Sequence, residues 1–250
     1  MQERTALSDP ARKALILVFG CFLALCAFTV QAGNEVWKTK PFEQWTKADV
    51  KQILYDSPWV KRELVPTEWI SKSGMEEAPS MSGGGVYGTG SSAANIQQPV
   101  GTPSGQAAFV VQWASSRTLR EALVRQGEFD GQIKESEESH YLGESKDLQI
   151  TVQGPDMRPF EGPTLGELMS NAVLRGKQSG VKVTATNVDL QQNGGYLSAV
   201  VFRFPRKTSD GKDVLSPNEK AIQFTVKVKN LDLGATFDPR KMVDTKGPDF

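Results

Sequence analysis

From Ala14 to Val30 the chain runs apolar without a single charge, and after it polar and apolar positions alternate in short segments. Arg4, Arg12 and Lys13 precede the run, and Val30-Gln31-Ala32 closes it with small or modest residues. A basic start, an apolar middle and an A-x-A-like end are the parts of a cleavable export signal, here residues 1–32. The run sits at the lower limit of about 17–20 residues needed to cross a bilayer, so an uncleaved N-terminal anchor is the competing reading. Val18-Phe19-Gly20-Cys21 loosely matches a lipidation box. The apolar run continues past Cys21, however, and Cys26 follows the bulky Leu25, which argues against a lipoprotein.

Residues 33–72 form a Trp-rich helical segment. Thr46 with Asp49 three residues on is a variant capping box, and Val50, Ile53 and Leu54 follow at helical spacing. Pro58 ends the helix, because the residue before a proline is pushed out of the α region. A 3-10 or extended stretch is expected from Trp59 to Ile70. The segment is too small to bury a core of its own, so it is expected to dock on the domain that follows. Residues 73–106 are rich in Gly, Ser, Pro, Gln and Ala and read as a flexible linker.

The main domain covers 107–250. Phe109, Val111 and Trp113 alternate as a strand. Ser116 opens a helix with Leu119, Ala122 and Leu123 inside and Arg117, Arg120 and Arg125 outside. Leu148, Ile150 and Val152 predict a second strand. Thr164 and Glu167 form a capping box ahead of a helical stripe of Leu165, Leu168, Met169 and Ala172. Val181–Leu190 reads as a third strand. Asn193-Gly194 signals a hairpin turn into Tyr196–Phe204, a fourth strand that is apolar on nearly both faces and so belongs in the middle of a sheet. Ile222, Phe224, Val226 and Val228 alternate with Gln223, Thr225, Lys227 and Lys229, which predicts a half-buried strand. The last twenty or so residues, with Phe237, Met242 and Phe250, would add a short strand or wrap the sheet. The pattern predicts an α+β fold: a mainly antiparallel sheet of about five strands and two to three helices, preceded by the short Trp-rich helical segment.

Composition narrows the function. Cys21 and Cys26 both lie in the export signal, so the mature chain is cysteine-free, with no disulfide, thiol nucleophile or thiolate metal site. Charges balance at 29 basic and 29 acidic residues. No basic stripe is evident along the sequence, so nucleic acid is not an expected partner, and no polybasic block points to membrane contact after signal cleavage.

The candidate chemistry is thin. Gly83-Gly84-Gly85-Val86-Tyr87-Gly88 spells G-x-G-x-x-G, but without the strand before it and the helix after it that a phosphate loop requires. Ser209-Asp210-Gly211-Lys212 spells S-x-x-K, but in a turn and without its partner motifs. The single histidine, His140, lies in a polar stretch with Glu135, Glu137, Glu138 and Glu144, which reads as a solvated loop. No nucleophile elbow is present, and no cofactor or metal is expected. A carboxylate pair of the glycosidase type is a spatial property that composition does not reveal.

Trp37, Trp45, Trp59 and Trp69 are four of the five tryptophans. Clustered indoles can stack on sugars or anchor a partner, or they can fix a coreless segment to its neighbour; the size argument favours anchoring. Pro41-Phe42-x-x-Trp45, Leu54 and Ser57-Pro58-Trp59 resemble, over about residues 40–60, a group of uncharacterised secreted bacterial proteins of the acidobacterial type. A looser similarity surrounds Phe202-Arg203-Phe204-Pro205-Arg206. The resemblance implies a bacterial exported protein and no particular activity. The expectation is a periplasmic or extracellular protein, or one tethered by its uncleaved N-terminus, that binds or scaffolds an envelope protein or a glycan without catalysis. The alternative is a hydrolase with a carboxylate-based site acting on glycan or peptide.

Overall fold

In the computed structural model residues 35–68 and 103–250 are described. The export signal, Trp69, the G-x-G-x-x-G run and most of the linker lie outside them. The described residues from Val36 to Phe250 form one compact unit. Its helices are α1 (Val36–Thr39), α2 (Lys47–Tyr55), α3 (Arg117–Phe129), α4 (Glu138–Leu142) and α5 (Leu165–Asn171). Its strands are β1 (Val60–Pro66), β2 (Gln106–Gln112), β3 (Leu148–Gln153), β4 (Ala172–Gly176), β5 (Lys182–Thr184), β6 (Asn187–Asn193), β7 (Tyr196–Phe204), β8 (Ile222–Val228) and β9 (Leu231–Phe237), followed by the two-residue β10 (Val243–Asp244) and β11 (Gly247–Pro248).

The architecture is α+β with antiparallel sheets. One sheet has the order β1-β2-β3-β7-β6 and another β5-β4-β8-β9. In the first, Val111, Val152 and Val200 fall in one cross-strand row, as do Ile150 and Phe202. The two sheets meet through aromatic rings. Phe202 of β7 lies 5.6 Å from Phe224 of β8, and Trp113 lies 5.2 Å from Phe237 of β9. These residues are fully buried, and burying one such ring is worth about 1.5–3 kcal/mol.

Both capping boxes form: Thr46 with Asp49 at α2 and Thr164 with Glu167 at α5. The Ser116 hydroxyl accepts the Leu119 amide at the head of α3. Four details depart from the sequence pattern. The stripe that runs through Ala172 is cut at Asn171, where the chain changes period and becomes β4. Val181–Leu190 is two strands in two sheets. Ala185 donates its amide to Ala172 of β4, and the next residue, Thr186, donates to Arg203 of β7. The chain after β8 is a full strand, β9, reached by the two-residue turn Lys229-Asn230 with Lys229 at φ 52°. The β6–β7 loop is Gly194-Gly195, with φ of 59° and 85°, and Asn193 is the last paired residue before it. Two positive φ values suit the right-handed twist of a hairpin and favour glycine.

The N-terminal segment is continuous with this core. β1 pairs with β2 from Val60↔Gln112 to Pro66↔Gln106. Trp37 packs edge-on to Trp59 with centroids 5.5 Å apart. The Trp45 indole donates to the Lys40 carbonyl at 3.2 Å, and the Trp45 carbonyl accepts from Arg125 of α3.

The C-terminal residues strap the head of α3 and meet the N-terminal segment at Trp59. The Asp249 carboxylate accepts from the Ser116 hydroxyl at 2.8 Å and from the amides of Arg117 and Thr118 at 2.7 and 2.9 Å. It thus supplies the negative charge that the N-terminus of α3 favours. The Trp59 indole donates to the Asp249 carbonyl, and Arg117 grips Asp244 of β10 through two guanidinium nitrogens. Among the described residues no helix is long and apolar enough to cross a membrane.

Candidate binding face

The outer face of the four-stranded sheet is set by register. Arg175 of β4 is the direct partner of Lys182 on β5 and of Gln223 on β8, and Gln223 pairs with Thr236 of β9. The next outward row is Thr184, Val173, Thr225 and Gly234, and beyond it Lys227 faces Asp232. Inward positions on the same strands, Leu174, Phe224, Val226 and Leu233, are buried. Period-two alternation therefore forces a polar, cationic surface outward while the same strands complete the core.

Two adjoining hollows lie on this face. The larger, about 360 Å³, is lined by Ser170, Asn171, Val173, Arg175, Lys182, Gln223, Thr225 and Lys227. The smaller, about 220 Å³, shares Asn171 and Lys227 and adds Glu167 and Lys229. Lys227 is 2.9 Å from Asp232, an ion pair exposed on both sides. Such pairs are worth little and exchange readily with other anions. The side chains of Arg175 and Lys182 make no hydrogen bond or ion pair among the described residues.

The β4–β5 hairpin that carries these cations is held from behind. Glu219 is buried, and its carboxylate accepts from the Gln178 and Ser179 amides at 2.8 and 2.9 Å. Burial alone would raise this carboxyl. The bonds from Ser179 and Gln178 outweigh it and hold the group below its ordinary value. A Cβ on Gly176 would fall 2.6 Å from that carboxylate, so only glycine fits there.

Glu167 is the single carboxylate lining either hollow. It accepts the Thr164 amide at 2.7 Å and the Thr164 hydroxyl at 2.9 Å, and those bonds keep it below its ordinary value. A carboxylate fixed in a cap and held ionised is a poor general acid.

The structure does not bring the tryptophans to this face. Trp37, Trp45 and Trp59 are buried in the hydrophobic core, and Trp69 lies outside the described residues. His140 falls in α4. The S-x-x-K residues form a turn, with Gly211 at φ 80° and Lys212 paired to Asp210 at 2.8 Å. No group of three or more metal-ligating side chains gathers among the described residues.

The sequence shows Arg175, Lys182 and Lys227 as scattered cations, because only strand register collects them. The available signal was a cation at an outward position on each of three strands. Comparison with protein-family models, curated proteins and solved structures finds no match to this chain.

Proposed function

We propose that the protein is exported and acts as a non-catalytic binding or scaffolding protein of the envelope or extracellular space, with the open face of the four-stranded sheet as its ligand surface. The observation that carries the reading is the lining of the two hollows. Cations, hydroxyls and amides supply recognition, and the one carboxylate among them is already committed to a helix cap. The basic start, the charge-free apolar run and the A-x-A-like end of residues 1–32 support export.

A hydrolase acting on glycan or peptide would need a free acid–base pair. Burial would raise the Glu128 carboxyl of α3, but Glu138 of α4 and Arg125, the latter 2.7 Å away, hold it below its ordinary value. Glu121, which burial raises to about 7, is the acid that the hydrolase reading would use.

The test has two parts. Fractionation of the producing cells with N-terminal sequencing should find the protein outside the cytoplasm, starting at Gly33, or intact if the N-terminus serves as an anchor. The purified protein should then bind within a panel of glycans and envelope proteins while mass spectrometry finds every probe intact. Cleavage of a probe that disappears in Glu121→Gln would establish the hydrolase instead.

A further inference from the structure

Arg175 and Lys182 are direct cross-strand partners of like charge. Like charges opposite one another on a sheet cost stability, and neither residue has an acidic neighbour bonded to it among the described residues to offset that cost. An acid at either position would relieve the repulsion. The uncompensated pair lines the larger hollow, so the missing negative charge has room to come from a ligand.

A second cation, Lys227, stands four residues along β8 from Gln223, the partner of Arg175. At the rise of an extended strand this is about 13 Å. One phosphate or one sugar ring cannot bridge both points, so the two cationic ends call for a chain that bears more than one anionic group. Between them Gln223, Thr225, Ser170 and Asn171 line the groove with hydroxyls and amides that both donate and accept. That lining suits the hydroxyls of a sugar chain.

We infer that this groove binds an acidic polysaccharide, one anionic group of the chain lying between Arg175 and Lys182 and another at Lys227. The inference rests on the binding reading above and names its ligand class. Two rivals fit less well. No aromatic ring lines the groove, so single-stranded nucleic acid has no stacking platform for its bases. The cations also lie on the face of the sheet, where strand addition by a peptide cannot occur.

The experiment measures affinity of the purified protein for polygalacturonate, dextran sulfate, neutral dextran and a single-stranded oligodeoxynucleotide, at low and at moderate salt. Polygalacturonate or dextran sulfate should bind, neutral dextran should not, and added salt should weaken the complex. The stronger of the two polyanions identifies the group as carboxylate or sulfate, and either supports the inference. Arg175→Ala with Lys182→Ala should weaken binding about tenfold, from up to about fivefold for each exposed cation. Lys182→Glu should weaken it at least as much while raising the melting temperature, a combination that misfolding cannot produce. The control is Lys207→Ala with Lys212→Ala, whose cations are paired to Asp213 and Asp210; it should bind normally. Equal losses in the control, tighter binding of the oligonucleotide, or polyanion binding unchanged in both groove variants would overturn the inference. Binding of neutral dextran that is lost in Gln223→Ala would also overturn it, yet would leave the non-catalytic binding reading standing. Cleavage of a probe would remove that reading itself.

Discussion

Replacement of Asp249 by alanine should destabilise the folded unit by about 3–5 kcal/mol. The carboxylate is 5 % exposed and accepts three hydrogen bonds at the head of α3, two of them from the backbone amides of Arg117 and Thr118. Each buried donor left without a partner costs about 1–3 kcal/mol, and the charge at the helix N-terminus contributes up to about 2 kcal/mol in a partly buried setting. Ser116 adds less, because its hydroxyl can rotate and already accepts the Leu119 amide. Asp249→Asn keeps the shape and one acceptor but loses the charge, and should cost about 2 kcal/mol. Urea unfolding followed by tryptophan fluorescence is a suitable assay, since Trp59 bonds to the Asp249 carbonyl and Trp113 packs edge-on against Phe250. The midpoint should fall while the slope stays constant. A loss below about 1 kcal/mol for the alanine variant, with unchanged slope, would show that the strap does not hold the helix as described.

Two further outcomes follow from the same core. Trp45→Ala removes an indole that is 2 % exposed and should cost about 3–5 kcal/mol in the same urea experiment; an unchanged midpoint would mean that the ring packs on nothing essential. Burial raises the Glu121 carboxyl from 4.5 to about 7, against the pull of Lys246 and Arg117. Between those values the folded state holds a proton that the unfolded state releases, so the contribution of this group is full below 4.5 and is lost as pH rises through about 7. Glu121→Gln should therefore raise the melting temperature relative to wild type more at pH 8 than at pH 5, and an equal difference at both would refute the assignment.

Local signals in the sequence were strong where chemistry is local. The two capping boxes and the Ser116 cap need only residues three positions apart, and each forms as the spacing implies. Tyr196–Phe204 is flanked by positive-φ glycines and Pro205, which leaves its bounds little freedom. The misreadings lie where tertiary pairing decides. Nothing local marks the passage from Ala185 to Thr186 as a change of sheet, because both residues remain extended and only their hydrogen-bond partners differ. β9 carries full alternation, yet Gly234 in its middle and the glycine-free Lys229-Asn230 turn weaken both strand signals. The tryptophan cluster was legible, and the size argument favours anchoring over an exposed surface; Trp37, Trp45 and Trp59 are buried. The candidate face was the least legible feature. Arg175, Lys182 and Lys227 come from three strands, and only the pairing of β5, β4 and β8 makes them neighbours.

The most direct test of the central claim is an amide chemical-shift titration of the isotopically labelled protein with polygalacturonate, the polymer being recovered and sized afterwards. Perturbations should be confined to Val173, Arg175, Lys182, Gln223, Thr225, Lys227 and their strand neighbours, with the polymer recovered at its original length. Perturbations centred on α3 around Glu121, or a shortened polymer, would contradict the claim.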